Sequence, residues 1–222
     1  MDDEFSERAF PTRAVWSGTN HLEGSAVTPI FTTSTYQLND DRYRDWADGG
    51  QHSLIYSRWS SVNSEAVASK VASLEGAEDG ETLASGMAAI SSTLLSMLSK
   101  GDHMVTSADI YGGTYGLLTS DFPRFGIDVT MADIRDPSSF EAAINENTKV
   151  LYVETITNPV LKVCDLEAMA SIAKEHGLIS VVDNTFATPW ACQPISMGFD
   201  VVIHSGTKFL NCLLYTSPSP RD

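Results

Sequence analysis

The segment "VVDNTFATPWACQPISMGFDVVIHSGTKFLN", residues Val181–Asn211, contains two short apolar runs that each lead to polar residues. The first run ends at Asp183, and the second is followed by "SGTK", which ends at Lys208. Short apolar runs bounded by turn residues indicate strands that are buried on both faces, as in a parallel sheet. The segment therefore places an acid and a lysine at the ends of two buried strands.

The alternation of strand and helix extends upstream of this segment. We predict helices over residues 64–75, closed by Gly76, after Gly86, over residues 113–124, from Asp136-Pro137, and from Asp165 to Gly177. Between them we predict strands in "ETLASG", "HMVTS", "IDVTMAD", "KVLYVET", "LISVVD" and "DVVIHS". This alternation, from about residue 81 to residue 204, predicts an α/β fold with a mostly parallel sheet and helices on both faces.

The N-terminal residues 1–60 show little periodicity, and we interpret them as an arm that contacts another subunit. Within the arm, "RYRDWADGGQHS" (Arg42–Ser53) is predicted to be a solvated loop. We assign residues 61–211 to the α/β domain. In such sheets, ligands bind beyond the carboxyl ends of the strands. The chemistry is therefore expected at Ser85-Gly86, Ser107–Tyr111, Glu154–Pro159, Asp183–Thr185 and Ser205–Lys208.

The composition argues against several classes of partner. The chain has 222 residues, of which 42% are hydrophobic, enough for one packed domain. Its formal net charge of −15 argues against a nucleic-acid surface and an anionic membrane partner. No stretch of the sequence approaches the ~20 apolar residues of a membrane span. Three cysteines without metal-ligand spacing indicate reduced thiols, a cytoplasmic location and no metal site.

Two residues suggest the chemistry of the site. A lysine at the end of a buried strand loses solvation, which lowers its pKa and lets its amine attack a carbonyl group. Lys208 alone would also fit an ordinary surface position. Asp183 at another strand end offers a partner for a protonated ring nitrogen, and a lysine with such an acid is the binding pattern of pyridoxal phosphate (PLP).

Other residues complete this pattern, although each also fits a structural role. Gly86 and Met87 open a helix whose free N–H groups suit a phosphate, or they simply follow a cap. Tyr111 precedes two glycines and is either a stacking ring or a core residue. Asn158 precedes Pro159 in either a cis bond or an ordinary turn. In an extended segment, Tyr56 and Arg58 point to the same side, where the arginine binds a phosphate or is simply solvated.

Seven segments together match one family: "GSAVTPIFTTSTY", "YSR", "LEGAEDGETLASGMAAI", "YGGTY", "ETITNP", "VVDNTFATPW" and "HSGTKFLN". With them, the sequence resembles the Cys/Met-metabolism group of fold-type I PLP enzymes from about Thr12 to Asn211. That group includes cystathionine γ-synthase, cystathionine γ-lyase, cystathionine β-lyase, methionine γ-lyase and the O-acyl-homoserine sulfhydrylases. The resemblance implies the large domain of that fold and PLP as the cofactor.

The resemblance also implies roles for the site residues. Lys208 corresponds to the lysine that forms a Schiff base with the cofactor and then moves the Cα proton of the substrate. Asp183 corresponds to the partner of the pyridine nitrogen, and Asn158 to the asparagine near the ring oxygen. Tyr111 corresponds to the tyrosine that stacks on the ring and takes a proton from the incoming amino group.

The phosphate group and the oligomer follow from the same resemblance. The implied phosphate ligands are the side chains of Ser205 and Thr207 and the backbone of Gly86 and Met87. The implied pair that reaches a neighbouring subunit's phosphate is Tyr56 and Arg58, so the resemblance implies a homo-oligomer, typically a dimer of dimers.

The implied function is γ-elimination or γ-replacement on sulfur amino acids or activated homoserine, as in cystathionine γ-synthase or γ-lyase. O-acetylhomoserine sulfhydrylase and cystathionine β-lyase are alternatives with the same chemistry. A non-catalytic α/β module that binds a phosphate-containing ligand is an alternative from another class, and it would need neither Asp183 nor Lys208. A degenerate relative that keeps the domain as a scaffold is a further alternative.

The sequence departs from the family at two places. Ser61-Val62-Asn63 stands where the family usually has Asn-Pro-Thr. After Asn211 the family continues into a smaller C-terminal domain, whereas this chain continues "CLLYTSPSPRD" over residues 212–222. We therefore expect a C-terminally truncated chain that lacks the small domain, has a non-native tail and is inactive by itself.

Overall fold

A computed structural model of the chain describes residues 7–19, 22–50 and 53–214. It divides the chain into two compact units, Met1–Thr82 and Leu83–Asp222. The predicted boundary at residue 60 falls within the first unit, and the division into arm and cofactor domain stays a prediction. Most of the predicted tail, residues 215–222, lies outside the described residues.

In the first unit, three α-helices are described: α1 (Phe10–Trp16), α2 (Asp40–Ala47) and α3 (Val62–Glu75). The prediction of a helix that ends at Gly76 is confirmed, because Gly76 adopts the left-handed conformation with φ of 74°. Helix α3 begins slightly earlier than predicted. The side chain of Ser61 caps it by accepting a hydrogen bond from the N–H of Ser64 at 3.1 Å.

The loop predicted over Arg42–Ser53 is wrong in its first half, which belongs to helix α2. The Asn39 side chain accepts a hydrogen bond from the N–H of Arg42 at 2.9 Å and so caps this helix. Asp40 and Asp41 stand in its first turn, where negative charge is favourable. The cap and the two acids are helix-start signals that the polar composition concealed.

The unusual triplet Ser61-Val62-Asn63 forms a regular helix start. Asn63 Oδ1 accepts a hydrogen bond from the N–H of Phe31 at 2.8 Å, and Asn63 Nδ2 donates to the carbonyl oxygen of Pro29 at 2.8 Å. The asparagine amide therefore holds an upstream segment of the same unit against the first turn of α3.

The second unit contains a five-stranded sheet in which every neighbouring pair is parallel. Its strands are β1 (His103–Ser107), β2 (Asp128–Ala132), β3 (Thr148–Glu154), β4 (Ile179–Asp183) and β5 (Val201–Ile203). Their order across the sheet is β2-β1-β3-β4-β5. The predicted parallel α/β architecture is thereby confirmed.

The strand predicted in "ETLASG" (residues 81–86) does not form. Leu83 is the one large apolar residue of this segment, and it is 40% exposed. No described strand lies alongside the segment to supply hydrogen-bond partners. Without a partner strand and a buried side chain, the segment stays irregular until the helix after it begins.

Helices cover both faces of the sheet, as predicted. Alternate side chains of β3 point to opposite faces, so Val150 and Tyr152 belong to one apolar cluster and Leu151 and Val153 to the other. The first cluster includes residues of α4 (Gly86–Met97), α6 (Phe122–Phe125) and the π-helical turn Leu117–Asp121 that follows α5 (Gly112–Gly116). The second includes residues of α7 (Pro137–Ala143) and α8 (Leu166–Glu175).

Two helix starts in this unit confirm the sequence predictions. The Asp136 side chain accepts from the N–H of Ser138 at 3.1 Å, one residue after Pro137 begins α7. The Asp165 side chain accepts from the N–H of Ala168 at 3.1 Å at the start of α8.

A short helix, α9 (Thr188–Ala191), lies between β4 and β5. Among the described residues, no helix is long and apolar enough to cross a membrane.

Candidate active site

A cavity of about 290 Å³ lies in the second unit at the carboxyl edge of the sheet. It is close to the lower end of the range for small-molecule sites, roughly 300–1,000 Å³. All five segments in which the sequence placed the chemistry contribute to its lining. The lining includes every predicted site residue of this unit: Gly86, Met87, Tyr111, Asn158, Asp183, Ser205, Thr207 and Lys208.

The N-terminus of helix α4 opens into this cavity. The side chain of Ser85 caps the helix by accepting from the N–H of Ala88 at 3.0 Å. The N–H groups of Gly86 and Met87 have no acceptor within the helix, since they belong to its first turn. They are available, together with the positive end of the helix dipole, to an anionic group in the cavity.

Gly86 allows this helix terminus to lie directly against the loop after β5. A Cβ atom at position 86 would lie 2.8 Å from the Cβ of Ser205, a distance that side chains do not tolerate. The hydroxyl oxygens of Ser205 and Thr207 lie 3.1 Å apart and face the same cavity. Two hydroxyl groups beside two free backbone N–H groups form a set of donors suited to a phosphate.

Asp183 is the last residue of β4, and its carboxyl group is partly buried in the cavity wall. Burial raises the pKa of Asp183, while hydrogen bonds from Thr185 and the nearby His204 lower it in part. The N–H of Thr185 donates to Asp183 Oδ1 at 2.9 Å. A buried carboxylate with a raised pKa gains free energy from a cationic or proton-donating partner.

Thr185 links the two strand ends that hold the acid and the lysine. Its Oγ1 accepts a hydrogen bond from the N–H of Ser205 at 2.8 Å. The same residue therefore contacts Asp183 through its backbone and the loop of Ser205 through its side chain. The sequence indicated the Asp183–Thr185 segment but not this role, because the partner lies on another strand.

Lys208 lines the same cavity as Asp183. The sequence predicted a desolvated lysine, but the residue is exposed. Strand β5 ends at Ile203, so Lys208 lies in the turn beyond the strand and not at its buried end. Its N–H donates to the carbonyl oxygen of Ser205 at 3.1 Å. The amine is therefore presented from a short turn that the Ser205–Thr185 contact anchors.

Tyr111 lies at the rim of the cavity and is 43% exposed, so it is not a core tyrosine. Its ring lies over Gly113, where an added Cβ would be 2.6 Å from Tyr111 Cε1 and 3.0 Å from Met87 Sδ. Glycine at position 113 therefore allows the ring to pack close to the chain beside the start of α4.

Glu154 begins one of the segments that the sequence selected, but the sequence analysis gave this cavity residue no role. It is the last residue of β3 and only 4% exposed. Its Oε1 accepts from the N–H of Tyr111 at 2.7 Å, and its Oε2 accepts from the N–H of Asn158 at 3.0 Å. Burial raises the pKa of Glu154 to about 7, with a further increase from Asp183 and a decrease from the two N–H groups. An acid that ends the apolar run "KVLYVET" was the available signal.

Asn158 lines the cavity, and the Asn158-Pro159 bond is cis, one of the two conformations considered from the sequence. Tyr56 and Arg58 lie in the first unit. Tyr56 forms an antiparallel bridge with Thr35, but the extended conformation does not continue to Arg58, because the N–H groups of Trp59 and Ser60 fold back onto the carbonyl oxygen of Tyr56 in a turn. The Arg58 guanidinium lies 5.0 Å from the centre of the Tyr56 ring. Their role toward a neighbouring subunit stays a prediction.

The described residues contain no group of three or more His, Cys, Asp or Glu side chains arranged to hold a metal ion. The cavity instead combines an anion-binding end, an acid and an amine. This set matches a ligand that has a phosphate, a basic ring nitrogen and a carbonyl group.

Comparisons with known proteins agree with this chemistry. A family model described as "Cys/Met metabolism PLP-dependent enzyme" matches residues 11–212. The chain is 39% identical over 213 residues to an L-methionine gamma-lyase of Porphyromonas gingivalis, covering 94% of the chain and 53% of that protein. It is 42% identical over 188 residues to a cystathionine gamma-lyase of Bacillus subtilis, covering 84% of the chain and 47% of that protein.

A solved structure is similar over the same region. The crystal structure of a "putative O-acetylhomoserine (thiol)-lyase" from Campylobacter jejuni superposes with a TM-score of 0.86 and 35% identity. The match covers 90% of this chain and 50% of that one, which contains N'-pyridoxyl-lysine-5'-monophosphate. The chain spans about half the length of the curated relatives it matches.

Proposed function

This chain belongs to the Cys/Met metabolism family of PLP-dependent enzymes, and we propose that its cavity holds PLP for γ-elimination or γ-replacement on sulfur amino acids or activated homoserine. The observation that supports this most strongly is that Asp183 and Lys208 line one cavity together with the open N-terminus of α4. The cavity is small, and its hydrogen-bond donors, its acid and its amine are the groups that a phosphate, a pyridine nitrogen and an aldehyde respectively require.

The residues fit the cofactor group by group. Backbone N–H groups of Gly86 and Met87 and the hydroxyls of Ser205 and Thr207 would hold the phosphate. Asp183 would accept a hydrogen bond from the protonated ring nitrogen, which would remove the unfavourable burial of its charge. When bound, PLP supplies an electron sink that stabilises negative charge at Cα of an amino acid.

The chain's own side chains then move and hold protons. Lys208 Nζ would hold the cofactor through its aldehyde carbon and, when free, would take the Cα proton of the substrate as a general base. The Tyr111 phenolate oxygen, at the cavity rim, would take a proton from the incoming amino group. The Asn158 side chain would contact the ring oxygen and hold the orientation of the ring. Each of these groups comes from a different loop at the carboxyl edge of the sheet.

The substrate and the assembly are also part of this proposal. The relatives named methionine gamma-lyase, cystathionine gamma-lyase and O-acetylhomoserine (thiol)-lyase favour a small sulfur amino acid or an activated homoserine. We propose a homo-oligomer, a dimer of dimers, in which Tyr56 and Arg58 reach the phosphate of a neighbouring subunit. A cytoplasmic location stays a prediction from the sequence.

Two experiments test this function separately. The cofactor is tested by adding PLP to the purified chain and measuring its visible absorption, with Asp183→Asn as the variant. The variant should bind PLP about tenfold more weakly, because a neutral amide cannot stabilise the ring-nitrogen proton. Equal affinity in the variant would contradict the role of Asp183.

The reaction is tested on the full-length product of the gene. Cystathionine, methionine, and O-acetylhomoserine with sulfide are supplied in turn, and the release or uptake of the sulfur compound is measured. Turnover with bond cleavage or replacement at Cγ supports the proposal, and the preferred substrate distinguishes a lyase from a sulfhydrylase. Release of homocysteine rather than cysteine from cystathionine would indicate the β-lyase alternative instead. PLP binding without turnover of any of them would support a degenerate relative instead, and failure to bind PLP would support the non-catalytic module.

A further inference from the structure

Glu154 joins the two loops that present Tyr111 and Asn158 to the cavity. Its two carboxylate oxygens are divided between them, with Oε1 bound to the N–H of Tyr111 at 2.7 Å and Oε2 to the N–H of Asn158 at 3.0 Å. The two N–H groups lie on segments that follow different strands, β1 and β3. One side chain therefore fixes two backbone positions that no strand pairing holds.

The burial of Glu154 makes its two hydrogen bonds important for its stability. A carboxyl group that is 4% exposed has lost most of its hydration, so its charge is stabilised largely by the hydrogen bonds it accepts. Burial raises the pKa of Glu154, and the two N–H groups counteract that increase. Either loop would leave the carboxylate with an unpaired oxygen if it moved away, so the three groups hold one another in place.

A second contact joins the same two loops through residues that do not line the cavity. The Lys162 ammonium forms an ion pair with Asp109, one residue on each loop, and both side chains are 29% exposed. The loop of Asn158 is further closed by the N–H of Thr157, which donates to the carbonyl oxygen of Lys162 at 2.9 Å. The two loops are therefore joined at two points, by Glu154 at the cavity and by the Asp109–Lys162 ion pair outside its lining.

We propose that Glu154 is a positioning residue that sets the orientation of the Tyr111 ring and the Asn158 amide over the bound cofactor. This inference rests on the proposed function, since it assigns a role toward PLP. Glu154 acts through the two backbone groups and need not touch the ligand. It determines where the ring and the amide lie rather than whether the cofactor attaches to Lys208.

The test uses Glu154→Gln in the chain loaded with PLP. Glutamine preserves the shape of the side chain but keeps only one acceptor oxygen, so one of the two N–H groups loses its partner. We expect the variant still to bind PLP through Lys208, with a Kd about tenfold higher. We also expect the circular dichroism of the bound cofactor, divided by the amount bound, to fall at least twofold, because that signal reports the asymmetric contacts around the ring.

Asp200→Asn is the matched control. Asp200 Oδ2 accepts from the N–H of Ser180 at 2.8 Å, so it holds a backbone group as Glu154 does, at the opposite end of β4 and outside the cavity lining. The control should lose stability without a change in the dichroism per bound cofactor. If Glu154→Gln also leaves that quantity unchanged, Glu154 is merely structural and the inference is overturned.

A measurement on the unsubstituted chain covers the case in which Glu154→Gln does not fold. Hydrogen exchange should show that the amides of Tyr111 and Asn158 are both protected, although they lie in loops. Rapid exchange at either amide would overturn the inference. A failure of the proposed function looks different, because the unsubstituted chain would then bind no PLP at Lys208 while both amides could remain protected.

Discussion

Glu154 and Asp183 are register partners at the carboxyl ends of the neighbouring parallel strands β3 and β4. Paired residues on adjacent strands present their side chains to the same side, and both carboxyl groups line the same cavity. Burial raises the pKa of both, and the charge of Asp183 raises that of Glu154 further. Two adjacent acids in one cavity wall favour a ligand with a cationic or proton-donating group.

The first prediction concerns the pH dependence of stability without cofactor. The pKa of Glu154 is about 7 in the folded chain, against 4.5 for an unperturbed carboxyl. Between these values the folded state holds a proton that the unfolded state has released, so stability falls as pH rises. The full difference is about 3 kcal/mol, and it is favourable below pH 4.5 and lost above pH 7.

Urea unfolding of the chain and of Glu154→Gln at about pH 5 and pH 8 measures this effect. Glutamine does not titrate, so the free energy of unfolding should fall by roughly 2–3 kcal/mol more in the unsubstituted chain than in the variant. The same pH slope in both proteins would show that Glu154 is ionised normally.

The second prediction concerns the approach of α4 to the loop of Ser205. Gly86→Ala adds a Cβ that would lie 2.8 Å from Ser205 Cβ, so the helix terminus and the hydroxyl group must separate. The Kd for PLP, measured by titration, should rise about 10- to 100-fold, the equivalent of one lost hydrogen bond to a charged group.

Gly116→Ala is the control for this substitution. Gly116 lies in a helix of the same unit, and an added Cβ would meet nothing within 4 Å. This variant should bind PLP as the unsubstituted chain does. A normal affinity in Gly86→Ala would mean that the phosphate does not lie at this helix terminus.

The third prediction concerns His103, which lies at the opposite edge of the sheet from the cavity. Its Nδ1 and Nε2 lie 2.8 and 2.9 Å from the hydroxyls of Thr148 and Thr130, so the ring joins β1 to both of its neighbours. Burial lowers the pKa of His103, and Asp128 opposes this in part. The neutral ring is therefore favoured in the folded state, and its contribution to stability is present above pH 6.5 and lost as the pH falls through the lowered value.

The comparison is His103→Gln against the unsubstituted chain in thermal or urea unfolding. At neutral pH the substitution should cost roughly 1–3 kcal/mol, because the buried Thr148 hydroxyl and the half-buried Thr130 hydroxyl lose a partner. On acidification the difference between the two proteins should narrow. A difference that stays constant down to pH 5 would show that His103 does not titrate differently on folding.

The parallel sheet was predictable because its strands are continuous apolar runs and its helices begin at local caps. Asp136 and Asp165 each bind a backbone N–H within three residues, so their signal lies entirely in the local sequence. The prediction of a strand in "ETLASG" was wrong for the opposite reason. Whether it forms a strand depends on a pairing partner, and that is a property of the fold rather than of the segment.

The same contrast, between signals in the local sequence and contacts that depend on the fold, applies to the site residues. Asp183 was found because it ends an apolar run, and Lys208 because it closes the short polar segment that follows the next one. The segment that begins at Glu154 was found, but the role of Glu154 was not, because it depends on two N–H groups that separate loops bring to it. The exposure of Lys208 was not predictable either, since it depends on where β5 ends and on the turn that follows.

The central claim is that one PLP molecule binds between Asp183 and Lys208. The most direct test is to add PLP to the purified chain, reduce with borohydride, and locate the pyridoxyl group by mass spectrometry of peptides. The label should be on Lys208, should disappear in Lys208→Ala, and should be unchanged in Lys174→Ala, which removes an exposed lysine of α8. Label spread over surface lysines, or retained in Lys208→Ala, would contradict the account.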